Sequence, residues 1–241
     1  MRFLHKIKKL ADPRLPESMK RHAHRILLTR RFVFRINPDT IIASIDPAEF
    51  RAIHQRHAVP NPGDAPEKYL ELRRWIEVNL RRIRYLDLDC GARKRILDIG
   101  CGAGYFLYIC KWLGHDVLGL DLDESPMFND LTKLLGIPRV IARIERHKPL
   151  PEFAERFDVI TAYMICFNDH KTDHIWGPAE WDFFLNDAAR YLAPGGRIHL
   201  ELNEEFDGTC YTSELRDYFF QRGAVVVNNR ITFTPDSRAQ P

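Results

Sequence analysis

The chain has 241 residues, 45% hydrophobic and 29% charged, with a net charge of +3; such a length and balance can bury a sizeable core, which excludes a disordered polypeptide. No apolar run approaches the roughly 18 residues of a membrane span, and the N-terminus shows no apolar core before a small-residue cleavage site, so a cytoplasmic protein is expected. Five scattered cysteines (Cys90, Cys101, Cys110, Cys166, Cys210), none in a CxxC pair, read as reduced thiols and exclude a disulfide framework.

Basic residues crowd the front. Residues 1–35 carry 11 Lys/Arg against 2 Asp/Glu, and residues 1–95 carry 22 against 11; residues 96–241 reverse the balance, with 14 against 22. Different tasks are expected of the two parts: a basic, mainly helical extension over 1–90 and an α/β domain over 91–241. "FLHKIKKL" places Phe3, Leu4, Ile7 and Leu10 on one helical face opposite lysines, as in a helix lying on a membrane surface. The same charge suits phosphate contacts with RNA, and a solvated cap over the following domain is the third reading. "SMKRHAHRILLTRR" (18–31) reads as a basic helix, and "DPAEFRAIHQRH" as a helix capped by Asp46 with Pro47 in its first position. After a loop at 59–66, "EKYLELRRWIEVNLRRIRYL" (67–86) predicts one long amphipathic helix, with Leu70, Trp75, Ile76, Val78 and Leu80 inward and the arginines in solvent.

From residue 95 strands and helices alternate. "RILDI" (95–99), "DVLGLD" (116–121), "RVIARI" (139–144) and "FDVITAYMI" (157–165) read as strands; helices are predicted over 104–114, over 125–136 with Ser125 as cap, and over 178–192. "APGGRIHLELN" supplies a turn and a strand, "SELRDYFFQRG" a helix, and "AVVVNNRITFT" a hairpin about Asn228-Asn229. Such alternation implies an α/β fold with a doubly wound, mostly parallel sheet, the hairpin adding an antiparallel strand at its edge.

The chemistry concentrates in "DIGCGAG". Its glycines, Gly100, Gly102 and Gly104, are spaced G-x-G-x-G, with Tyr105 where a dinucleotide loop places its third glycine, and the Gly-Lys-Ser/Thr of a nucleotide triphosphate loop is missing. Asp98, just before the glycines, would repel a pyrophosphate but suits a cation. Asp121, at the end of the next strand, can accept both hydroxyls of a ribose. A ribose-bearing cation without phosphates describes S-adenosylmethionine.

At these residues the sequence resembles the class I SAM-dependent methyltransferase family. "ILDIGCGAGYF" is similar to its first motif and "VLGLD" to its second; "RFDVITA" and "LAPGGRIHLELN" follow in the family's order through about residue 203. The resemblance implies a seven-stranded Rossmann-like sheet with a helical N-terminal extension. It also implies a cofactor site drawn from Asp98, Gly100, Gly102, Gly104, Asp121 and Leu122, with Ile144 and Glu145 at the adenine. Tyr163 and Tyr69 complete the expected cofactor contacts, Tyr69 closing over the ligand.

Methyl transfer needs an acceptor held in line with the S–CH3 bond, and a base where the acceptor must lose a proton. The segment after the fourth strand, 163–181, is the expected acceptor pocket, with Tyr163, Asn168, Asp169, His170, His174 and Trp176. His170 is the candidate catalytic base, since an imidazole titrates near neutral pH. His170 and His174 are four apart, but Thr172-Asp173 between them lends no support to a zinc motif and no metal is expected. Glu201 and Asn203 are further candidates for the cleft. The D/N-P-P-Y/F segment of exocyclic-amine methylases is replaced by "AYMI", Cys166 lacks the preceding proline of a cytosine C5 nucleophile, and the paired-glutamate loop of arginine methylases is missing. The expectation is an O-, N- or C-methyltransferase of a small molecule, such as a sugar or lipid intermediate. An RNA methyltransferase and a non-catalytic cofactor-binding protein are the alternatives.

Overall fold

A computed structural model describes residues 36–58 and 67–234. The basic helices expected within 1–35 and the loop over 59–66 lie outside the described residues. Helix α1 (Pro38–Ile42) leads into α2 (Pro47–His57), where the Asp46 carboxylate accepts the N–H groups of Ala48 and Glu49 and Pro47 opens the first turn. These are the helix-start signals read from the sequence.

The single helix expected over 67–86 is two pieces. A 3-10 turn (Glu67–Leu70) ends at Glu71, whose ψ of 72° leaves the helical region, and α3 (Leu72–Tyr85) follows. The Trp75 indole N–H reaches back 2.7 Å to the Lys68 carbonyl and holds the break. Ile76, Leu80 and Ile83 of α3 are fully buried, and each such side chain contributes roughly 1.5–3 kcal/mol. They share one core with Ile41 and Ile53 of the first helices and with Phe106, Leu107 and Ile109 of α4 (Tyr105–Trp112).

Strands β1 (Arg95–Ile99), β2 (Asp116–Asp121), β3 (Arg139–Ile141) and β4 (Phe157–Ile165) alternate with α4 and α5 (Pro126–Leu134); then follow α6 (Pro178–Ala189), β5 (Leu192–Leu202), α7 (Ser213–Gln221), β6 (Val225–Val227) and β7 (Arg230–Phe233). The sheet order is β3-β2-β1-β4-β5-β7-β6, with β1 to β5 parallel and β7 antiparallel to both its neighbours. It is the mostly parallel seven-stranded sheet of a Rossmann-like methyltransferase fold.

Three boundaries differ from expectation, each for a tertiary reason. Strand β3 stops at Ile141 because its neighbour β2 ends at Asp121, the last residue it can pair with. Helix α6 stops at Ala189 because the Tyr191 carbonyl is taken by the Phe157 N–H at 2.8 Å, which draws Leu192 into β5. The antiparallel strand is one place in from the edge: β7 pairs with β5, and β6 forms the border. The hairpin turns where expected, with Asn228 at φ 54°.

Candidate active site

The strand order reverses between β1 and β4, and a crevice opens there at the carboxyl ends of the strands. It has a volume of about 770 Å³, within the range of small-molecule sites. Asp98, Gly100, Gly102, Gly104, Asp121, Leu122, Ile144, Tyr163, Tyr69 and His170 all line it. Residues spread over 100 positions of sequence therefore meet in one cleft.

Gly100, Gly102 and Gly104 have φ of 73°, 52° and 77°, a backbone that side chains with a Cβ resist. A Cβ on Gly104 would meet Thr132 and Ile137 at 3.1 Å, so this glycine serves the packing of α4 on its neighbours; one on Gly100 would meet nothing within 4 Å. Gly100 thus leaves open space on the cleft side of the loop. Asp121 accepts the Gly102 N–H on one carboxylate oxygen and the Leu122 N–H on the other, at 2.5 and 2.7 Å. Each oxygen has further lone-pair capacity, which is what a ribose diol requires.

Asp98 is 3% exposed and accepts a 2.7 Å hydrogen bond from the Thr161 hydroxyl. Burial pushes its carboxyl up to about 7, against the opposing pull of that hydrogen bond and of the Arg82 guanidinium. A buried carboxylate so poised gains from a cationic ligand. Arg82 was expected in solvent. Instead it turns inward from α3, bonds Glu201 through Nε at 3.0 Å and Asn79 at 3.1 Å, and lies 4.1 Å over the Tyr163 ring. Arg230 closes on the other Glu201 oxygen at 2.9 Å. Glu201 is therefore the buried link between two arginines and not a cleft residue. The buried Tyr163 hydroxyl has no hydrogen-bond partner among the described residues, and the residue lines the same cavity.

Tyr69 stacks on Trp75 at 4.7 Å and meets Phe128 edge-on at 5.0 Å, forming an aromatic wall. Its carbonyl accepts the Tyr105 hydroxyl at 2.9 Å, so the residue that replaces the third dinucleotide glycine ties the 3-10 turn to α4. Ala142, Arg143 and Ile144 line the same cleft. Glu145 is not among the lining residues; it pairs with Lys148.

Beyond Tyr163 the cleft is lined by Met164, Cys166, Phe167, His170, Lys171 and Asn203. Met164 has φ 51° at the register slip between Tyr163 and Ile165. Asn203 donates to the Ile165 carbonyl at 2.8 Å and borders the cleft as expected. Others from 163–181 serve elsewhere. Asn168 and Trp176 are buried, Asp169 pairs with Arg146, and His174 lies exposed in a turn outside the cleft. Arg82, Asn79, Phe128 and Glu205 were missed. Trp75, Asn79 and Arg82 stand at i, i+4 and i+7, so helical periodicity carried a signal for the first two of these; Phe128 and Glu205 had none.

A buried carboxylate at Asp98, Asp121 with spare acceptor capacity on both oxygens, and the glycine turn at the switch point of this sheet are the features that the sequence resemblance to class I SAM-dependent methyltransferases leads one to expect. Comparison with known proteins agrees. Residues 96–196 match the family model described as a methyltransferase domain. It is 27% identical over 139 residues to the ubiquinone biosynthesis O-methyltransferase of Acinetobacter baylyi, covering 55% of this chain and 54% of that one. The protein of the same name from Sinorhizobium medicae is 35% identical over 105 residues, covering 43% and 39%. The chain thus spans about half the length of the curated relatives it matches. Among solved structures, the amino pentose methyltransferase CalS10 of Micromonospora echinaspora is similar at 23% identity and a TM-score of 0.40, covering 55% of this chain and 53% of that one. DesVI of Streptomyces venezuelae is similar at 20% identity and a TM-score of 0.41, covering 53% and 50%.

Proposed function

We propose that this protein transfers a methyl group from S-adenosylmethionine to a small-molecule acceptor held between Tyr163 and Lys171. The observation that carries this reading is the presence of His170 in the same cleft as Asp98 and Asp121, so that one cavity offers both a cofactor cradle and a base. The cofactor would be held by Asp121 at the ribose, by the glycine turn at its back, by Ile144 and Leu122 at the adenine, and by Asp98 at its cationic end. It supplies an electrophilic methyl on a sulfonium; the chain supplies position and a proton acceptor. The aromatic wall of Tyr69, Trp75 and Phe128 excludes water from that path. The relatives' name, ubiquinone biosynthesis O-methyltransferase, supports a small-molecule acceptor over a nucleic acid.

The direct test is transfer of labelled methyl from the cofactor into a small-molecule extract, with products identified by mass spectrometry. Label in small molecules supports the reading; label found only in RNA moves the assignment to an RNA methyltransferase. Bound cofactor with no transfer into either would make this a cofactor-binding protein without catalysis. Residues 1–90 act in this proposal as a basic cap, with 1–35 resting on an anionic membrane surface of the cytoplasm. Sedimentation of the full chain with anionic vesicles checks that part, and its loss upon deleting 1–35 locates the contact.

A further inference from the structure

His170 and Glu205 come from different loops. His170 stands in the turn after β4, and Glu205 in the turn after β5. Their side chains meet with His170 Nδ1 2.8 Å from Glu205 Oε1, while Glu205 Oε2 accepts the Lys171 N–H at 2.7 Å. Both side chains are largely shielded, at 13% and 15% exposed. Glu205 is held from behind: its N–H donates to the Thr209 carbonyl at 2.7 Å, and its carbonyl accepts the Gly208 N–H at 3.0 Å. The Asp207 carboxylate closes the same turn on the Thr209 N–H and hydroxyl.

The His170 side is equally constrained. Asp169 and Lys171, its two neighbours, both have φ 56°, a left-handed backbone that persists only where the surroundings impose it. Asp169 is fixed by Arg146 at 2.7 Å, and Lys171 by Glu205. One carboxylate therefore fixes both the imidazole and the backbone beside it.

A carboxylate can only accept, so Nδ1 is the donor in this contact. In the neutral ring the proton then sits on Nδ1 and the lone pair on Nε2, which has no partner among the described residues and belongs to a side chain lining the cleft. We propose that Glu205 is the positioning residue that holds His170 in this tautomer, and that the acceptor atom is accordingly a hydroxyl oxygen. The proposal rests on the methyl-transfer reading above. A neutral amine already has a lone pair for attack, whereas a hydroxyl becomes a strong nucleophile only as its proton leaves. The O–H proton passes to Nε2, and the oxygen pair forms the bond to the methyl carbon as the S–C bond breaks toward sulfur. The products are a methyl ether, the neutral thioether and an imidazolium, which Glu205 stabilises until it returns the proton to solvent.

The test uses the 15N-labelled full chain. Long-range imidazole spectra of the wild type should show the Nδ1–H pattern for His170, and Glu205→Ala should move it toward the Nε2–H form that an unconstrained histidine side chain prefers. Carbethoxylation of His170 Nε2 by diethyl pyrocarbonate, followed by peptide mass spectrometry, should be several-fold slower in Glu205→Ala than in the wild type. Glu205→Gln retains an acceptor for the Lys171 N–H and replaces Glu205→Ala should the latter fail to fold; the same slowing is expected. An Nε2–H tautomer in the wild type, or equal Nε2 reactivity in wild type and variant, would overturn the proposal. Calorimetry with S-adenosylmethionine separates the two levels: a wild type that does not bind it sinks the methyl-transfer reading and this inference with it. A wild type that binds it but shows Nε2–H sinks the role of Glu205 alone.

Discussion

Asp98 joins function to a stability cost within one side chain. Its carboxyl is raised to about 7 by burial, so the folded chain holds that proton more tightly than the unfolded chain does. The linkage sign follows: stability contributed by this site falls as pH rises from about 4 toward 7, and the penalty is complete above 7. Asp98→Asn should therefore stabilise the cofactor-free protein by on the order of 1–3 kcal/mol at pH 8 and by less at pH 5. Denaturant melts at the two pH values measure the difference, and equal gains would contradict the assignment. On the proposed function the same replacement should abolish measurable cofactor binding, because the cofactor's cationic end would lose the buried Asp98 carboxylate in the cleft. In the wild type, cofactor affinity should rise with pH up to about 7 and then level, as the site sheds its proton. The glycines divide differently. Gly104→Ala would bring a Cβ to 3.1 Å from Thr132 and Ile137 at φ 77°, and should cost about 2–3 kcal/mol through strain and overpacking. Gly100→Ala, with no neighbour within 4 Å, should cost only about 1–2 kcal/mol of backbone strain while weakening cofactor affinity. Thermal melts paired with calorimetry distinguish a packing glycine from a ligand-facing one.

At the scale of elements, the site is assembled by side chains that tie helix to strand. Arg82 of α3 and Glu201 of β5 make a buried ionic pair, joined by the partly exposed Arg230 of β7, with the two guanidinium groups over the rings of Tyr163 of β4 and Tyr85. Breaking a buried pair leaves an uncompensated charge, and Arg82→Ala should lower stability by about 3–5 kcal/mol in urea titrations, somewhat less to the extent that Arg230 shields Glu201. Because Arg82 also lines the cleft, cofactor affinity should fall in the same variant; a loss below about 0.5 kcal/mol would mean that the pair adds no net stability. The helix boundaries that sequence periodicity placed well, such as the Asp46 and Ser125 caps, depend on contacts within three residues. Those it misplaced depend on distant partners. The break at Glu71 is held by a Trp75 side chain, and the end of α6 is set by pairing of Tyr191 with β4.

For the whole molecule, ligand binding and folding are one equilibrium. Cofactor at about 100 times its dissociation constant should add about 2.7 kcal/mol, or roughly 5–10 °C in melting temperature for a domain of this size. Asp121→Ala should remove most of that rise, since each hydrogen bond to a charged acceptor contributes about 1.5–3 kcal/mol; an undiminished shift would refute the ribose assignment. The sequence by itself determined the glycine turn, the two aspartates about it, and the alternation that makes a parallel sheet, because these rest on local spacing and backbone chemistry. Only the tertiary structure decided that Arg82 is buried and not solvated, that Glu201 is an internal link, and that Glu145 leaves the cleft where Ile144 stays. It also decided that Glu205 meets His170 across 35 positions of sequence. No periodicity encodes the approach of two loops; it is set by β4 and β5 lying side by side, which brings their carboxyl ends, and the loops that follow them, to the same rim of the sheet.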